Sequence, residues 1–314
     1  VYMVGFTAPS ITAGNRPAYD NANSKPYIAK YDTGGNLLFQ STYDGIKGQL
    51  TSAVVIDTQL YCGGQLRQSG VDKGFLLKVT ANGDIQWQKT VSGTTIVNAV
   101  TTDGTRLFAV GDHDTYGATF IRVPAGGASI DFAKAIDFND SSLNTLTPTA
   151  IAYAGDSTQS GSTYGNSGDA NAQNKVFVTF NDTTNNNTFI GRFSPNTGAI
   201  ETTYQYGNNL RLHDLDIDTG SGDGIYMIAS GYYSDPAYSY ALTNITYGGG
   251  SNATYVSADS TSTLLALNTA GNSPTQISDL TRDRKLRGVS SGAIATIVSC
   301  LLYTSPSPRD YGTS

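Results

Sequence analysis

The sequence predicts an all-β chain: a β-propeller of four-stranded antiparallel blades, with at least five blades present. Three observations carry this. A stretch with two strand patterns around a turn recurs, as PYIAKYDTGGNLLFQSTYDG at 26–45 and GFLLKVTANGDIQWQKTVSG at 74–93. The closest copies lie about 45 to 50 residues apart, a spacing typical of propeller repeats. Of 25 acidic residues only Glu201 is a glutamate, a bias toward turn formers over helix formers.

The strands of one repeat are named A to D. In the second copy Phe75, Leu77 and Val79 alternate with Leu76 and Lys78 as strand C. Asn82-Gly83 then supplies a turn that tolerates positive φ, and Ile85, Trp87 and Lys89 resume the alternation as strand D. Weaker C–D copies begin at Thr119, Phe189 and Leu264. Strand B precedes each: VYMVG from Val1, LYCGG from Leu60, LFAVG from Leu107, VFVTF from Val176 and IYMIASG from Ile225. Strand A precedes all but the first: TSAVVI, VNAVT, PTAIAY and LHDLDI. Blades are therefore expected at about 1–45, 49–93, 96–137, 146–207 and 210–280. LRGVSSGAIATIV, at 286–298, offers strands A and B of a further one. That spare strand could complete the first blade within the chain or be donated to a neighbour. Phe39, Trp87 and Phe132 should occupy equivalent strand D positions.

Residues 1 to 93 carry a family resemblance. VYMVGFT, a variable loop, and YIAKYDTGGNLLFQSTYDG together resemble the SBBP-type β-propeller repeat of secreted and surface proteins. The matching features are the aromatic-apolar-Val-Gly strand, the basic residue in strand C, the Gly turn and the aromatic in strand D. The resemblance implies the fold and an extracellular or cell-surface setting, and it carries no catalytic residues. The basic residue recurs as Lys30, Lys78, Arg122 and Arg192, with Ala266 in the fifth blade. Such repetition favours a structural role, with the stem covering apolar surface or the charge paired locally.

Composition excludes several classes. Net charge is −6 without a basic run, so the electrostatic footprint of nucleic-acid binding is missing. No run reaches the length of a membrane helix. Val1 already begins a strand-like run, and the chain reads as a mature protein or a fragment. Cys62 and Cys300 lack both framework number and metal spacing. Residues 300–310, CLLYTSPSPRD, resemble a translated sequencing adaptor, so 300–314 reads as a non-native tail on an environmental sequence.

Candidate chemistry is sparse. His113, in a B–C loop, and His213, in a strand A, fall in different blades. GNSGD at 165–169 sits in a low-complexity run. Asp214, Asp216 and Asp218 imitate the start of a calcium loop, but Thr219 stands at the Gly position and Ile225 at that of the bidentate Glu. No catalytic residue, metal or cofactor is assigned. Asn139, Asn181, Asn186, Asn244 and Asn252 begin N-x-S/T sequons, in segments read as turns or insertions, and are the glycosylation candidates. Insertions are expected at 8–25 and 231–262 on one face and at 155–174 on the other. The second is rich in tyrosine. Tyr232, Tyr233, Tyr238, Tyr240 and Tyr247 are candidates for contact with a partner. The expected function is that of a non-enzymatic extracellular structural protein, a homo-oligomer and the subunit of a head-to-tail filament. The alternative is a surface module binding glycans or peptides, and the third reading a propeller hydrolase.

Overall fold

The computed structural model describes residues 1–7, 23–124, 126–127, 129–136, 145–155, 174–182, 184, 187–208, 210–218, 226–233, 239–246, 254–257, 264–266 and 275–277. All regular structure among them is β. The first sheet holds β1 (Tyr2–Thr7), β2 (Lys25–Tyr31) and β3 (Leu37–Thr42). Three four-stranded meanders follow. They are β4 (Gly48–Ile56), β5 (Gln59–Gln68), β6 (Val71–Val79) and β7 (Ile85–Thr90); β8 (Thr94–Thr102), β9 (Arg106–His113), β10 (Gly117–Pro124) and β11 (Phe132–Ala135); and β12 (Leu146–Ala154), β13 (Lys175–Asp182), β14 (Asn187–Phe193) and β15 (Ile200–Asn208). A fourth joins β16 (Leu210–Asp218), β17 (Tyr226–Tyr233), β18 (Ser239–Thr246) and β19 (Thr254–Ser257). β20 (Leu264–Ala266) and β21 (Thr275–Ile277) form a two-stranded sheet of their own. Up-and-down four-stranded sheets repeated along the chain are the blades of a β-propeller.

The chain divides into two compact units. One comprises Val1–Tyr153, Lys175–Asn185 and Phe189–Tyr204; the other comprises Ala154–Asn174, Asn186–Thr188 and Gln205–Ser314. In the first unit successive blades pack face to face, because alternate residues of each strand point to opposite neighbours. Phe75, Leu77 and Val79 join Ile28 and Leu60 in a core with the first blade, while Leu76 joins Val97, Leu107 and Ile121 in a core with the third. Between the third and fourth blades the core is aromatic. Phe120 stacks on Phe193 at 5.1 Å and 4°, and also on Phe108 and Phe132.

The strand D expectation holds in the registers. Phe39 pairs with Lys30, Trp87 with Lys78 and Phe132 with Arg122. The fifth blade departs from expectation. The segment 231–262, read as a B–C insertion, contains the end of β17 and all of β18 and β19. Strand C of that blade is therefore Ser239–Thr246 rather than the run from Leu264. Its Tyr, Leu, Thr and Ile content suits a strand, but it lacks the cation that marks strand C elsewhere. Thr246, opposite Tyr226, takes the place that Lys30 takes opposite Tyr2, and Ala266 belongs to β20. The insertions around 8–22 and 156–173, and the spare strand and tail at 286–314, lie outside the described residues.

Phe120 is fully buried at the centre of the aromatic core. Phe120→Ala should destabilise the protein by about 4 kcal/mol, read as a lowered urea midpoint at unchanged slope. A loss below about 1 kcal/mol would mean this core does not hold the third and fourth blades together.

Candidate functional site

The recurring polar residues build joints between blades. In the first two blades the strand C cation lies across the strand B aromatic of its own sheet: Lys30 Nζ is 5.2 Å from the Tyr2 ring and Lys78 Nζ is 5.1 Å from Tyr61; in the third the strand B ring, Phe108, is covered by Arg106 of its own strand. Arg122 lies 4.7 Å over Phe132. Cation–π attraction of this kind fixes a long side chain against the sheet. In the first and third blades the cation also reaches the C–D turn of the next blade. Lys30 Nζ donates to Ala81 O at 3.2 Å, and Arg122 donates to Pro195 O at 3.2 Å and Asn196 O at 2.6 Å. Lys134 Nζ adds a bond to Thr197 O at 2.6 Å, and Tyr43 donates its hydroxyl to Gly83 O at 2.9 Å. Burial, helped by Cys62 and Asp84, pushes the Tyr43 pKa up to about 12, which keeps it a donor.

The turn glycine completes each joint. Gly83, Gly127 and Gly198 have φ of 92°, 61° and 67°, a region that favours glycine. Each lies on the strand D ring of the preceding blade. A Cβ on Gly83 would come within 2.7 Å of Phe39, one on Gly127 within 3.0 Å of Trp87, and one on Gly198 within 2.7 Å of Phe132. The fourth blade changes the pattern. Nine residues after Arg192, at the offset of Phe39 from Lys30, stands Glu201. Its carboxylate meets Lys175 Nζ at 2.6 Å and Arg192 Nε at 3.0 Å.

A second seam runs along the A strands. Registers skip Thr51 in β4, Thr95 and Asn98 in β8 and, in the second unit, His213 in β16. A bulge turns its extra side chain out of the ladder. Thr51 Oγ1 lies 2.5 Å from Val97 O of the next blade. Asn98 Nδ2 donates to Pro148 O at 2.8 Å and to Asp112 Oδ1 at 2.7 Å. Burial raises the pKa of Asp112, and the Asn98 bond only partly offsets it. In the β8–β9 turn at the other end of the hairpin, Asp103 goes the other way: burial would raise it, but bonds from Thr105 and Arg106 outweigh that and lower its pKa. Sequence reading missed this seam, because a one-residue bulge leaves no compositional mark.

The sequence candidates scatter. His113 Nδ1 accepts from the backbone N–H of Thr115 and Tyr116, closing the β9–β10 hairpin, while His213 is a bulge residue in another blade. Asp214, Asp216 and Asp218 lie along β16 in an antiparallel ladder with β17, so that backbone is a strand and not a calcium loop. No group of three metal-ligating side chains occurs among the described residues. Asn181 lies in β13 and is 5% exposed, so a folded blade has no room there for a glycan. Asn244 lies in β18, paired on both sides. Both differ from the expected turn placement. Tyr232 and Tyr233 belong to β17 and Tyr240 to β18, with Tyr232 opposite Tyr240. Tyr238, Tyr247, Asn139, Asn186, Asn252 and the GNSGD run lie outside the described residues. A shallow groove of about 640 Å³ is lined by Tyr43, Asp44, Ile46, Ile85, Trp87 and Gln88, among others. No helix of the described residues is long and apolar enough to cross a membrane.

No protein-family model and no curated protein matches the chain, so the SBBP-type resemblance rests on the residues quoted above. Among solved structures the chain is similar to hydrazine synthase of Kuenenia stuttgartiensis, with TM-score 0.50 and 9% identity, over 75% of this chain and 63% of that one. It therefore spans less than two thirds of that protein. It is also similar to the Dos1 propeller, with TM-score 0.46 and 12% identity, over 84% and 68% of the two chains. A third is an exo-β-1,3-galactanase from Phanerochaete chrysosporium, with TM-score 0.39 and 14% identity over 72% and 52%. Identities this low speak to fold alone.

Two predictions follow from this geometry. Gly83→Ala and Gly35→Ala both place a side chain at positive φ, at a cost of about 1 kcal/mol. Only the first also collides with a ring, since nothing lies within 4 Å of a Cβ on Gly35. Gly83→Ala should therefore lower the melting temperature several degrees more than Gly35→Ala, and equal losses would dissolve the joint. The raised pKa of Asp112 means that its ionisation in the folded state costs stability as pH rises above the unfolded value of about 3.9. Asp112→Asn keeps the acceptor for Asn98 and removes the charge. It should raise the urea midpoint at pH 7 and have no effect at pH 3; an equal gain at both would contradict the assignment.

Proposed function

We propose that the chain is a non-enzymatic extracellular structural protein, the subunit of a homomeric filament. One observation carries the reading. The strand C cation recurs at a fixed position, and in the first and third blades it joins other polar side chains in the joints between blades. Lys30, Tyr43, Arg122 and Lys134 direct their polar atoms at carbonyls of the next blade. Glu201, the single glutamate, neutralises Lys175 and Arg192. A chain that uses its polar side chains to lock repeat to repeat suits a mechanical role, since repeat stability resides in neighbour interfaces. The extracellular setting rests on the polar, weakly charged composition and the resemblance of residues 1–93.

Material purified from its native source should sediment as polymers and form filaments in electron micrographs. Monomers at every concentration that bind an arrayed glycan, in a manner abolished by Tyr43→Ala or Asp44→Ala in the groove, would overturn this reading in favour of a binding module.

A further inference from the structure

The C–D turn of the second blade holds the single Asn-Gly pair of the chain, Asn82-Gly83. Such a pair is chemically labile, because an unhindered glycine nitrogen can approach the side-chain amide before it. Asn82 is exposed, whereas Gly83 is buried. The backbone N–H of Gly83 donates to Thr80 O at 3.0 Å, and that of Asn82 donates to Thr80 Oγ1 at 3.2 Å. The first blade holds the turn from outside. A Cβ on Gly83 would meet Phe39 at 2.7 Å, Tyr43 donates its hydroxyl to Gly83 O at 2.9 Å, and Lys30 donates to Ala81 O at 3.2 Å. Reaction needs the attacking nitrogen within about 3–3.5 Å of the amide carbon. To get there, Gly83 must give up its bond to Thr80 O and the Asn82–Gly83 peptide must rotate. The pinned Gly83 carbonyl and the ring beneath it oppose that rotation.

We propose that Asn82 is a deamidation site gated by the joint between the first and second blades. When the joint opens, the Gly83 nitrogen bonds to Asn82 Cγ and the Cγ–Nδ2 bond breaks. Nδ2 leaves as ammonia, taking the proton of the glycine nitrogen. Water then opens the cyclic imide. Cleavage between the nitrogen and Cγ gives aspartate. Cleavage between the nitrogen and the Asn82 carbonyl carbon gives isoaspartate, whose backbone is one methylene longer. No oxidant or reductant takes part. Either product adds a negative charge two residues before Asp84, and the longer backbone carries Gly83 off the Phe39 ring. The joint therefore recloses only while Asn82 is intact, and modification makes an opening permanent. The other turn glycines of the first unit, Gly35, Gly127 and Gly198, follow Gly34, Gly126 and Thr197, so this latch belongs to one joint.

Incubation of the full-length protein at neutral pH, with mass spectrometry of the peptide spanning Asn82 at intervals, tests this directly. Aspartate and isoaspartate should accumulate at Asn82, and far more slowly than in the urea-unfolded chain. Tyr43→Phe removes one hydrogen bond to the turn and keeps the ring. It should speed the reaction of the folded protein about fivefold. Lys30→Met, which loses the bond to Ala81 O, should act in the same direction and serves where Tyr43→Phe fails to fold. Arg122→Met loosens the joint between the third and fourth blades instead, and should leave the rate unchanged. Equal rates in folded and unfolded chains, or no gain in Tyr43→Phe and Lys30→Met, would overturn the gate. Equal acceleration by Arg122→Met would mean that global unfolding exposes the site, and would overturn it too. An unfolded chain that keeps Asn82 intact would remove the site itself.

Discussion

The seating of a strand D ring beneath a turn glycine of the next blade is the contact on which the first unit depends. It couples two requirements that would otherwise be independent. The turn must adopt positive φ, and the neighbouring sheet must approach closer than a Cβ allows. Glycine meets both at one atom. The aromatic ring then fixes the distance between sheets, and in the first and third blades the strand C cation ties the turn carbonyls down at the ring's edge. Because the same contact recurs at Gly83, Gly127 and Gly198, blade spacing is set by a local rule.

The inner seam complements it. Near the A strands, a bulged residue adds a polar side chain directed at the next sheet. Thr51 and Asn98 do so. Asn98 shows the cost of that solution. Its amide reaches both Pro148 O and the carboxylate of Asp112, which is held where burial disfavours its charge. An outer joint built on rings and an inner one on polar atoms divide the interface between dispersion and hydrogen bonding.

The fold was legible because its signal is periodic. Strand alternation, turn glycines and the ring in strand D recur at matching offsets, so one blade could be read against the next. The equivalence of Phe39, Trp87 and Phe132 came from spacing alone. The fifth blade shows where that method stops. Its strand C was expected in the run from Leu264, which lacks the cation, and the strand that forms, Ser239–Thr246, lacks it too: Thr246 stands there. The strand was visible in Tyr240, Leu242 and Ile245 as an alternating run, but tyrosine density suggested a contact loop instead. The bulges were illegible for a different reason. They alter register by one residue, and register is a property of two strands together. Asn181 was misplaced because a sequon says nothing of burial, and the hydrophobic run before it already marked a strand interior.

Glu201 brings these strands of argument together. In the first three blades the position after the turn carries a ring, and the cation of strand C lies on a π-face, reaching carbonyls of the following turn in the first and third. In the fourth a carboxylate occupies that position and takes up Arg192 and Lys175 directly. A ring attracts a turn glycine through its face; a carboxylate offers no such surface. The substitution therefore places an internally neutralised ion cluster where the other three blades carry a ring. It falls where the first compact unit ends, near Tyr204. The local rule that sets blade spacing is thus written into three blades and changed in the fourth. Because each interface of a repeat array contributes separately to stability, one residue of the joint can change without changing the fold.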